Sequence, residues 1–214
     1  MILFVCTLLF ASCKGQALDT KSISEKTDAL VKAYQDLGIF SGVVLIAENG
    51  KPFYQKAFGL ADRDRNIPNT VDTRFVIGSM NKTFTHALVL QLIDEGKLKF
   101  EDKMTDHLDG FQQQDAGKIS IKHLLDHTSG FGDYFGPQFW GLPYDKKNIQ
   151  GILPILRELE LHFEPGSDNA YSNAGYVILG AVIEKVTGKS YAENVETRIL
   201  KPLQLNSVVT KNIK

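Results

Sequence analysis

The feature that most constrains the fold is one predicted hairpin in a chain whose remainder predicts helices. Residues 41–59 (SGVVLIAENGKPFYQKAFG) predict two strands joined at Asn49-Gly50, a dipeptide that strongly favours a tight hairpin turn. The first strand, residues 43–47, is continuously apolar, which is typical of a strand buried on both faces. Because an isolated hairpin is only marginally stable in water, this strand needs a neighbour that the sequence does not obviously supply.

Apolar residues at helical spacing predict one helix before the hairpin and several after it. A stripe from Ile23 to Leu37 predicts the first helix, which Gly38 ends. Residues 87–93 are apolar nearly all round, which predicts a central helix closed by Gly96. Further helices are predicted over 120–127, 148–162, 173–186 and 190–200; residues 61–70 and the aromatic-rich 131–144 are predicted loops, the latter either a substrate contact or a cover for the core.

Length and charge limit the function classes. The 214 residues suffice for one sizeable domain, and the net charge is −1. No Lys/Arg run exceeds two residues, so the sequence lacks the basic patch of a nucleic-acid-binding protein. We therefore expect no nucleic-acid partner and no cofactor, and the sequence leaves the oligomeric state open.

The N-terminus, MILFVCTLLFASC, has the character of an export signal. It carries no charged side chain and is shorter than the roughly 20 residues that span a bilayer. Ala11-Ser12 before Cys13 resemble the lipobox of bacterial lipoproteins, although no basic residues precede the apolar run. We expect a signal peptide at 1–12, a lipid anchor on Cys13 and a location on the periplasmic side of a bacterial membrane; an ordinary signal or a buried strand is the alternative. The mature chain would hold no second cysteine for a disulfide.

Ser79-Met80-Asn81-Lys82 matches the pattern S-x-x-K. Ser79 stands at the predicted start of the apolar helix, and Lys82 follows on the same helical face. A serine hydroxyl is a poor nucleophile without a base, and burial or the positive end of a helix favours the neutral amine that a lysine base requires. The alternative is that Ser79 only caps the helix.

Residues 164–180 (EPGSDNAYSNAGYVILG) contain two triplets of catalytic type. Ser167-Asp168-Asn169 matches the S-D-N signature of penicillin-recognising serine enzymes. Tyr171-Ser172-Asn173 follows two residues later and offers a phenol in place of the serine. From the residues alone, either triplet can complete a site with Ser79.

The order of the motifs resembles a known family. LLDHTSG (124–130), FEPG (163–166), Tyr171-x-Asn173 with AGYVILGAVIEKVTGKSY after it, and ILKPLQLNSVVT (199–210) follow Ser79-x-x-Lys82. This order resembles the serine β-lactamase-related superfamily, close to class C β-lactamases, DD-peptidases and related esterases, over residues 21–210. The resemblance implies an α+β fold of the β-lactamase/transpeptidase type, a helical region plus an antiparallel sheet of which only the N-terminal hairpin is present. Residues 19–214 would form the N-terminal portion of one such domain.

The resemblance also chooses between the triplets. The family places Y-x-N four residues beyond Pro-Gly, which here selects Tyr171 and Asn173 and makes Ser167-Asp168-Asn169 a polar turn. It implies that Ser79 is acylated, that Lys82 and the Tyr171 phenolate share the proton transfers, and that Asn173 binds the substrate amide and Lys82. The implied substrate is a β-lactam, a D-alanyl peptide or an ester.

The family's third motif, K-[ST]-G or H-x-G, is missing after residue 173. Thr187-Gly188 follows Val186 instead of a basic residue, in a predicted helix. In the family that motif's strand supplies one of two oxyanion donors, and losing such a donor typically costs about 10²–10³ in rate. We therefore expect the front portion of a longer enzyme, whose missing strands would cover residues 43–47.

Two alternatives from other function classes stay open. The chain can be a non-catalytic remnant or a module that binds cell-wall peptides. It can also be a zinc hydrolase, since His123 and His127 approximate H-x-x-E-H. Against zinc, the helix ends directly after His127, where the helix dipole favours a protonated imidazole. A third zinc ligand would have to come from His86, His107 or His162.

Overall fold

The computed structural model describes residues 18–210. The predicted signal peptide, the lipidation residue Cys13 and residues 211–214 lie outside the described residues. The chain divides between Arg74 and Phe75 into two compact units. Within 18–210, no helix combines the length and the apolar character needed to cross a membrane.

Over residues 18–74, the first unit contains one helix and two small antiparallel sheets. Its elements are α1 (Thr20–Asp36), β1 (Gly42–Glu48), β2 (Lys51–Phe58), β3 (Leu60–Asp62) and β4 (Ile67–Pro68). β1 pairs with β2, and Asn49 and Gly50 between them have φ angles of 50° and 75°. Positive φ at both turn positions is the geometry that an Asn-Gly hairpin adopts, so the predicted hairpin is confirmed. β3 and β4 form a second sheet within a segment that was predicted to be a loop.

Helix α1 is attached to β2 through Asp28. The Tyr54 hydroxyl donates to Asp28 Oδ1 at 2.7 Å, and Lys56 Nζ lies 2.7 Å from Asp28 Oδ2. Burial and the neighbouring Asp28 carboxylate raise the pKa of Tyr54 to about 12. Gly38, with φ of 69°, follows the helix at the predicted stop.

Two apolar stretches of the first unit are partly exposed. Leu30 and Leu37 of the apolar stripe on α1 are exposed. β1 is not buried on both faces, because Leu45 is 53% exposed and Ala47 is also exposed. Among residues 18–210, β1 pairs only with β2.

The second unit is helical, as predicted. Its helices are α2 (Asn81–Asp94), α3 (Ile121–Leu125), α4 (Pro137–Trp140), α5 (Ile149–Glu158), α6 (Asn173–Thr187) and α7 (Tyr191–Val195), which continues as the π-helical turn Glu196–Leu200. α4 was not predicted; it lies within the aromatic-rich loop and starts with Pro137 in its first turn, where the missing N–H costs nothing. α6 packs against α2, α3, α5 and α7 and is therefore the centre of this unit.

The helix predicted to be central, α2, is buried on one side only. Leu88, Val89 and Leu92 are fully buried, whereas Leu90 is 39% exposed. Burying such side chains typically stabilises a fold by about 1.5–3 kcal/mol each. The packing of α2 on α6 matters for function because both helices begin at residues of the predicted site.

Candidate active site

Ser79 and Lys82 lie at the N-terminal end of α2. Ser79 is exposed in the 3₁₀ turn Gly78–Met80, which leads directly into α2, and Lys82 is in the first turn of that helix. Lys82 Nζ is 3.4 Å from Ser79 Oγ, at the long limit of a hydrogen bond. The spacing of three residues thus brings the two groups together as predicted.

Tyr171 completes a three-residue cluster around the Ser79 hydroxyl. Its own hydroxyl donates to Ser79 Oγ at 2.5 Å, and Lys82 Nζ lies 4.6 Å from its ring centroid. The Lys82 ammonium lowers the pKa of Tyr171, and the hydrogen bond with Ser79 acts in the same direction; burial and the Asp133 carboxylate oppose them. A phenol whose ionised form is favoured in this way is suited to accept a proton.

Asn173 joins Lys82 to an acidic residue that the sequence did not reveal. Asn173 is the first residue of α6; its Oδ1 accepts from Lys82 Nζ at 2.6 Å and its Nδ2 donates to Asp133 Oδ2 at 3.2 Å. The other Asp133 oxygen accepts from the backbone N–H of Tyr134 at 2.8 Å. These bonds hold the Lys82 ammonium from α6, a helix other than the one that carries Lys82.

The residues of the S-D-N triplet make the contacts of a turn. The Ser167 hydroxyl donates to the Glu164 carbonyl at 2.7 Å, and Asp168 Oδ1 accepts from the backbone N–H of Asn169. Asn169 Nδ2 donates to the Asp126 carbonyl at 2.7 Å. The side chains of this triplet are thus bonded away from Ser79, whereas Tyr171 reaches it.

His127 was expected to be protonated at a helix end, and this expectation is wrong. Its Nδ1 accepts from the backbone N–H of Ser172 at 3.0 Å, which requires an unprotonated nitrogen. Burial lowers the pKa of His127, the nearby Lys82 charge lowers it further, and Asp126 only partly opposes them. The accepted hydrogen bond and the lowered pKa both favour the neutral imidazole.

The arrangement required by the zinc alternative does not form in residues 18–210. His123 Nδ1 accepts from the backbone N–H of Ser120 at 3.4 Å, and His127 has left the helix with φ of 61°. The two side chains therefore lack the i,i+4 geometry of a shared helical face. The described part of the chain holds no group of three or more His, Cys, Asp or Glu side chains positioned to bind a metal ion.

A cleft of about 420 Å³ opens beside this cluster. Its lining includes Ser79, Lys82 and Asn173 together with Tyr134 and Phe135. The two aromatic residues belong to the loop for which the sequence suggested substrate contacts. The many aromatic residues in this loop are the sequence feature that indicated substrate contacts. No comparable feature marks Asp133, because a single acidic residue in a loop is common.

Comparison with known proteins settles the family. The family model described as Beta-lactamase matches residues 27–211. The chain belongs to the Beta-lactamase family. Penicillin-binding protein 4* of Bacillus subtilis (strain 168) is 38% identical over 176 residues, which cover 81% of this chain and 38% of that protein. A teichoic acid D-alanine hydrolase of Staphylococcus aureus is 34% identical over 175 residues, covering 82% of this chain and 42% of that protein.

The fold of this Beta-lactamase-family chain matches solved structures of the family. The crystal structure of a penicillin-binding protein from Bacillus halodurans superposes with a TM-score of 0.69 at 34% identity, over 80% of this chain and 54% of that one. The predicted resemblance and the α+β fold class are thereby confirmed, and these relatives support the class of serine acyl hydrolases. The chain spans 38% and 42% of the length of the two curated relatives.

Proposed function

We propose that this chain carries the acylation site of a serine acyl hydrolase. The observation that carries the proposal is the convergence of two groups on one oxygen: Tyr171 Oη at 2.5 Å and Lys82 Nζ at 3.4 Å from Ser79 Oγ. A serine becomes nucleophilic when a base removes its proton as it attacks; an ionised Tyr171 at this distance can act as that base, and Lys82 favours its ionised form. The family and its hydrolase relatives support the same reaction class.

In the acylation step, Ser79 Oγ attacks the carbonyl carbon of the substrate. The hydroxyl proton passes to the Tyr171 phenolate, whose charge the adjacent Lys82 ammonium stabilises. The tetrahedral intermediate collapses as Tyr171 returns a proton to the leaving amine or alkoxide, which leaves an ester on Ser79. Water then attacks that ester by the reverse path, releasing the acid and restoring Ser79.

Asn173 has a positioning and a binding part in this scheme. Its Oδ1 holds Lys82 at 2.6 Å, next to the phenol, while its amide borders the cleft that receives the substrate. For the substrate we propose a D-alanyl ester or peptide or a β-lactam. The names of the relatives, a penicillin-binding protein and a teichoic acid D-alanine hydrolase, support this class.

The proposed cellular location rests on the resemblance of Ala11-Ser12-Cys13 to a lipobox. We propose that Cys13 is lipidated and holds the protein on the periplasmic side of a bacterial membrane, where cell-wall substrates occur. Metabolic labelling with an alkyne fatty acid tests this point. Label is expected on the wild-type protein and not on Cys13→Ser, and equal labelling of both would refute the anchor.

The acylation proposal is tested by intact-mass spectrometry. The protein without residues 1–12 is incubated with a reactive penicillin and, separately, with a fluorophosphonate. One adduct is expected on the wild type and none on Ser79→Ala. Tyr171→Phe is expected to slow labelling by about 10²–10⁴, the usual contribution of a positioned proton-transfer group.

Ser167→Ala is the matched control, because it alters the other triplet while leaving the Ser79 cluster intact. We expect its labelling rate to equal that of the wild type. A folded wild-type chain that forms no adduct with either reagent would refute catalysis by these residues. Binding of a D-alanyl peptide by that unreactive chain would then identify it as the peptide-binding module.

A further inference from the structure

His127 adopts a backbone conformation that needs an explanation. Its φ is 61°, in the left-handed region that a residue with a side chain occupies only at a cost in free energy. α3 ends at Leu125, and His127 lies just beyond it. Strained conformations of this kind persist where the surrounding structure holds them, and they cluster at functional sites.

The strained backbone allows His127 to hold the chain on both sides of Tyr171. The carbonyl oxygen of His127 accepts from the N–H of Ala170 at 3.0 Å. Its Nδ1 accepts from the N–H of Ser172, also at 3.0 Å. The N–H groups of the residues immediately before and after Tyr171 are thus bonded to one residue, which restrains the backbone at Tyr171.

The imidazole ring also restrains the Tyr171 side chain. It lies against the Tyr171 ring with 4.8 Å between centroids and against the Tyr176 ring with 5.2 Å, at interplanar angles of 31° and 34°. Tyr176 is itself anchored, because its hydroxyl donates to the Leu125 carbonyl at 3.1 Å. The imidazole therefore contacts both an anchored ring and the ring whose hydroxyl contacts Ser79.

We propose that His127 is a positioning residue that, as a neutral imidazole, holds Tyr171 against Ser79 through its Nδ1 acceptor. The proposal rests on the proposed function, because holding Tyr171 matters only if Tyr171 moves protons. His127 would thus contribute without touching the substrate, by holding the backbone next to Tyr171.

The charges around His127 favour the required form. The titratable and charged groups facing it are Lys82, Asp126, Tyr171 and Tyr176. Burial and the Lys82 charge hold the pKa of His127 below its usual value, against Asp126. Protonation would convert Nδ1 from an acceptor to a donor and remove the bond to Ser172, while placing a second cation near Lys82.

Two substitutions separate the acceptor from the backbone conformation. His127→Gly removes the side chain, and glycine tolerates positive φ. His127→Asn retains an oxygen acceptor close to the position of Nδ1, and asparagine also accepts this conformation better than most residues. His123→Ala is the matched control: another partly buried histidine near the same short helix that has no contact with Tyr171.

Each variant is measured in two ways, after circular dichroism has shown that it is folded. The first is the rate of Ser79 labelling by the fluorophosphonate. The second is the titration midpoint of Tyr171 from the ring-carbon NMR signal of ¹³C-tyrosine, assigned with Tyr171→Phe. A merely structural role for His127 would change stability without moving that midpoint.

We expect His127→Gly to slow labelling about tenfold, as the loss of one hydrogen bond of ordinary strength implies, and to move the Tyr171 midpoint upward. His127→Asn is expected to restore both, and His123→Ala to change neither. If His127→Gly does not fold, His127→Gln replaces it with the same expectation. The glutamine amide lies one bond farther from the backbone than the asparagine amide and so cannot take the position of Nδ1. An unchanged midpoint in the Gly or Gln variant, or an Asn variant as impaired as they are, would overturn the proposal.

Failure of the proposed function would look different. A wild-type chain without label would refute catalysis by Ser79, whatever the variants do. The NMR titration would still decide whether His127 positions Tyr171, because it requires no reaction.

Discussion

Substitution of Ser172 by alanine tests how the start of α6 builds the active site. Ser172 is 1% exposed and caps α6: its Oγ accepts from the N–H of Gly175 at 2.9 Å and donates to the Gly132 carbonyl at 3.3 Å. Loss of an N-cap typically costs about 1 kcal/mol. Leaving the buried Gly132 carbonyl without this donor costs a further ~1–3 kcal/mol. The expected decrease in the free energy of unfolding is therefore about 2–4 kcal/mol.

Ser190→Ala is the matched control, because Ser190 caps α7 in the same unit by the same chemistry at an exposed position. Its Oγ accepts from the N–H of Glu193 at 3.2 Å and donates to the exposed Glu193 carboxylate at 2.6 Å, so no buried carbonyl depends on it. We expect this variant to lose only the capping contribution, about 1 kcal/mol.

Urea unfolding followed by circular dichroism measures the decrease in the free energy of unfolding of each variant, provided that its m-value equals that of the wild type. Labelling of Ser79 is expected to slow in Ser172→Ala, since Ser172 lies between Tyr171 and Asn173, and to stay unchanged in Ser190→Ala. Equal losses of stability in the two variants would refute the reasoning, because they would show that the buried position of Ser172 adds nothing to the cost of losing a cap.

Three further predictions follow from contacts in the second unit. Hydrogen bonds from Arg198 and Lys97 lower the pKa of Glu95 to about 2. The stability that Glu95 contributes is therefore present above its ordinary pKa and is lost as the pH falls toward 2. The unfolding free energies of the wild type and Glu95→Gln in urea should differ at about pH 7 and converge at about pH 2, and a difference that persists in acid would contradict this. Because Phe135 lines the cleft, Phe135→Ala is expected to slow acylation by a penicillin that carries an aromatic side chain up to about tenfold more than acylation by a penicillin without one. The rates of Ser79 labelling by the two penicillins measure this difference. Equal slowing would exclude a contact between Phe135 and the aromatic side chain. Gly132→Ala would place a methyl carbon in steric overlap with His162 Cε1 and should lower the free energy of unfolding in urea by about 1–3 kcal/mol. An unchanged unfolding midpoint would contradict this.

Local features were predictable because short-range rules govern them. The Asn49-Gly50 turn requires positive φ at two adjacent positions, which these residues accept. The approach of Lys82 to Ser79 follows from a spacing of three residues at a helix start. The position of Tyr171 at Ser79 is different: the two residues are 92 apart in sequence, and only the order of the motifs, through the family resemblance, suggested that they meet.

Burial and protonation could not be predicted in the same way. The apolar residues of β1 and α1 indicated strands and helices correctly, but hydrophobicity does not tell whether a partner covers them, and Leu45 and Leu30 are exposed. His127 in a helical sequence pattern suggested a metal ligand or a protonated helix end. Its neutral state depends on burial and on the Lys82 charge, and both arise from residues distant in sequence.

The sequence by itself thus determined the hairpin, the helices, the family and the pair Ser79 and Lys82, since each depends on neighbouring residues or on the order of motifs. The resemblance suggested Tyr171 and Asn173 as neighbours of that pair, and the tertiary structure alone added Asp133 and the contacts of His127. Packing of α2 and α3 against α6 brings Asn173 to Lys82 and the N–H of Ser172 to His127. Distances, solvent exposure and the resulting charge states exist only once these helices are packed.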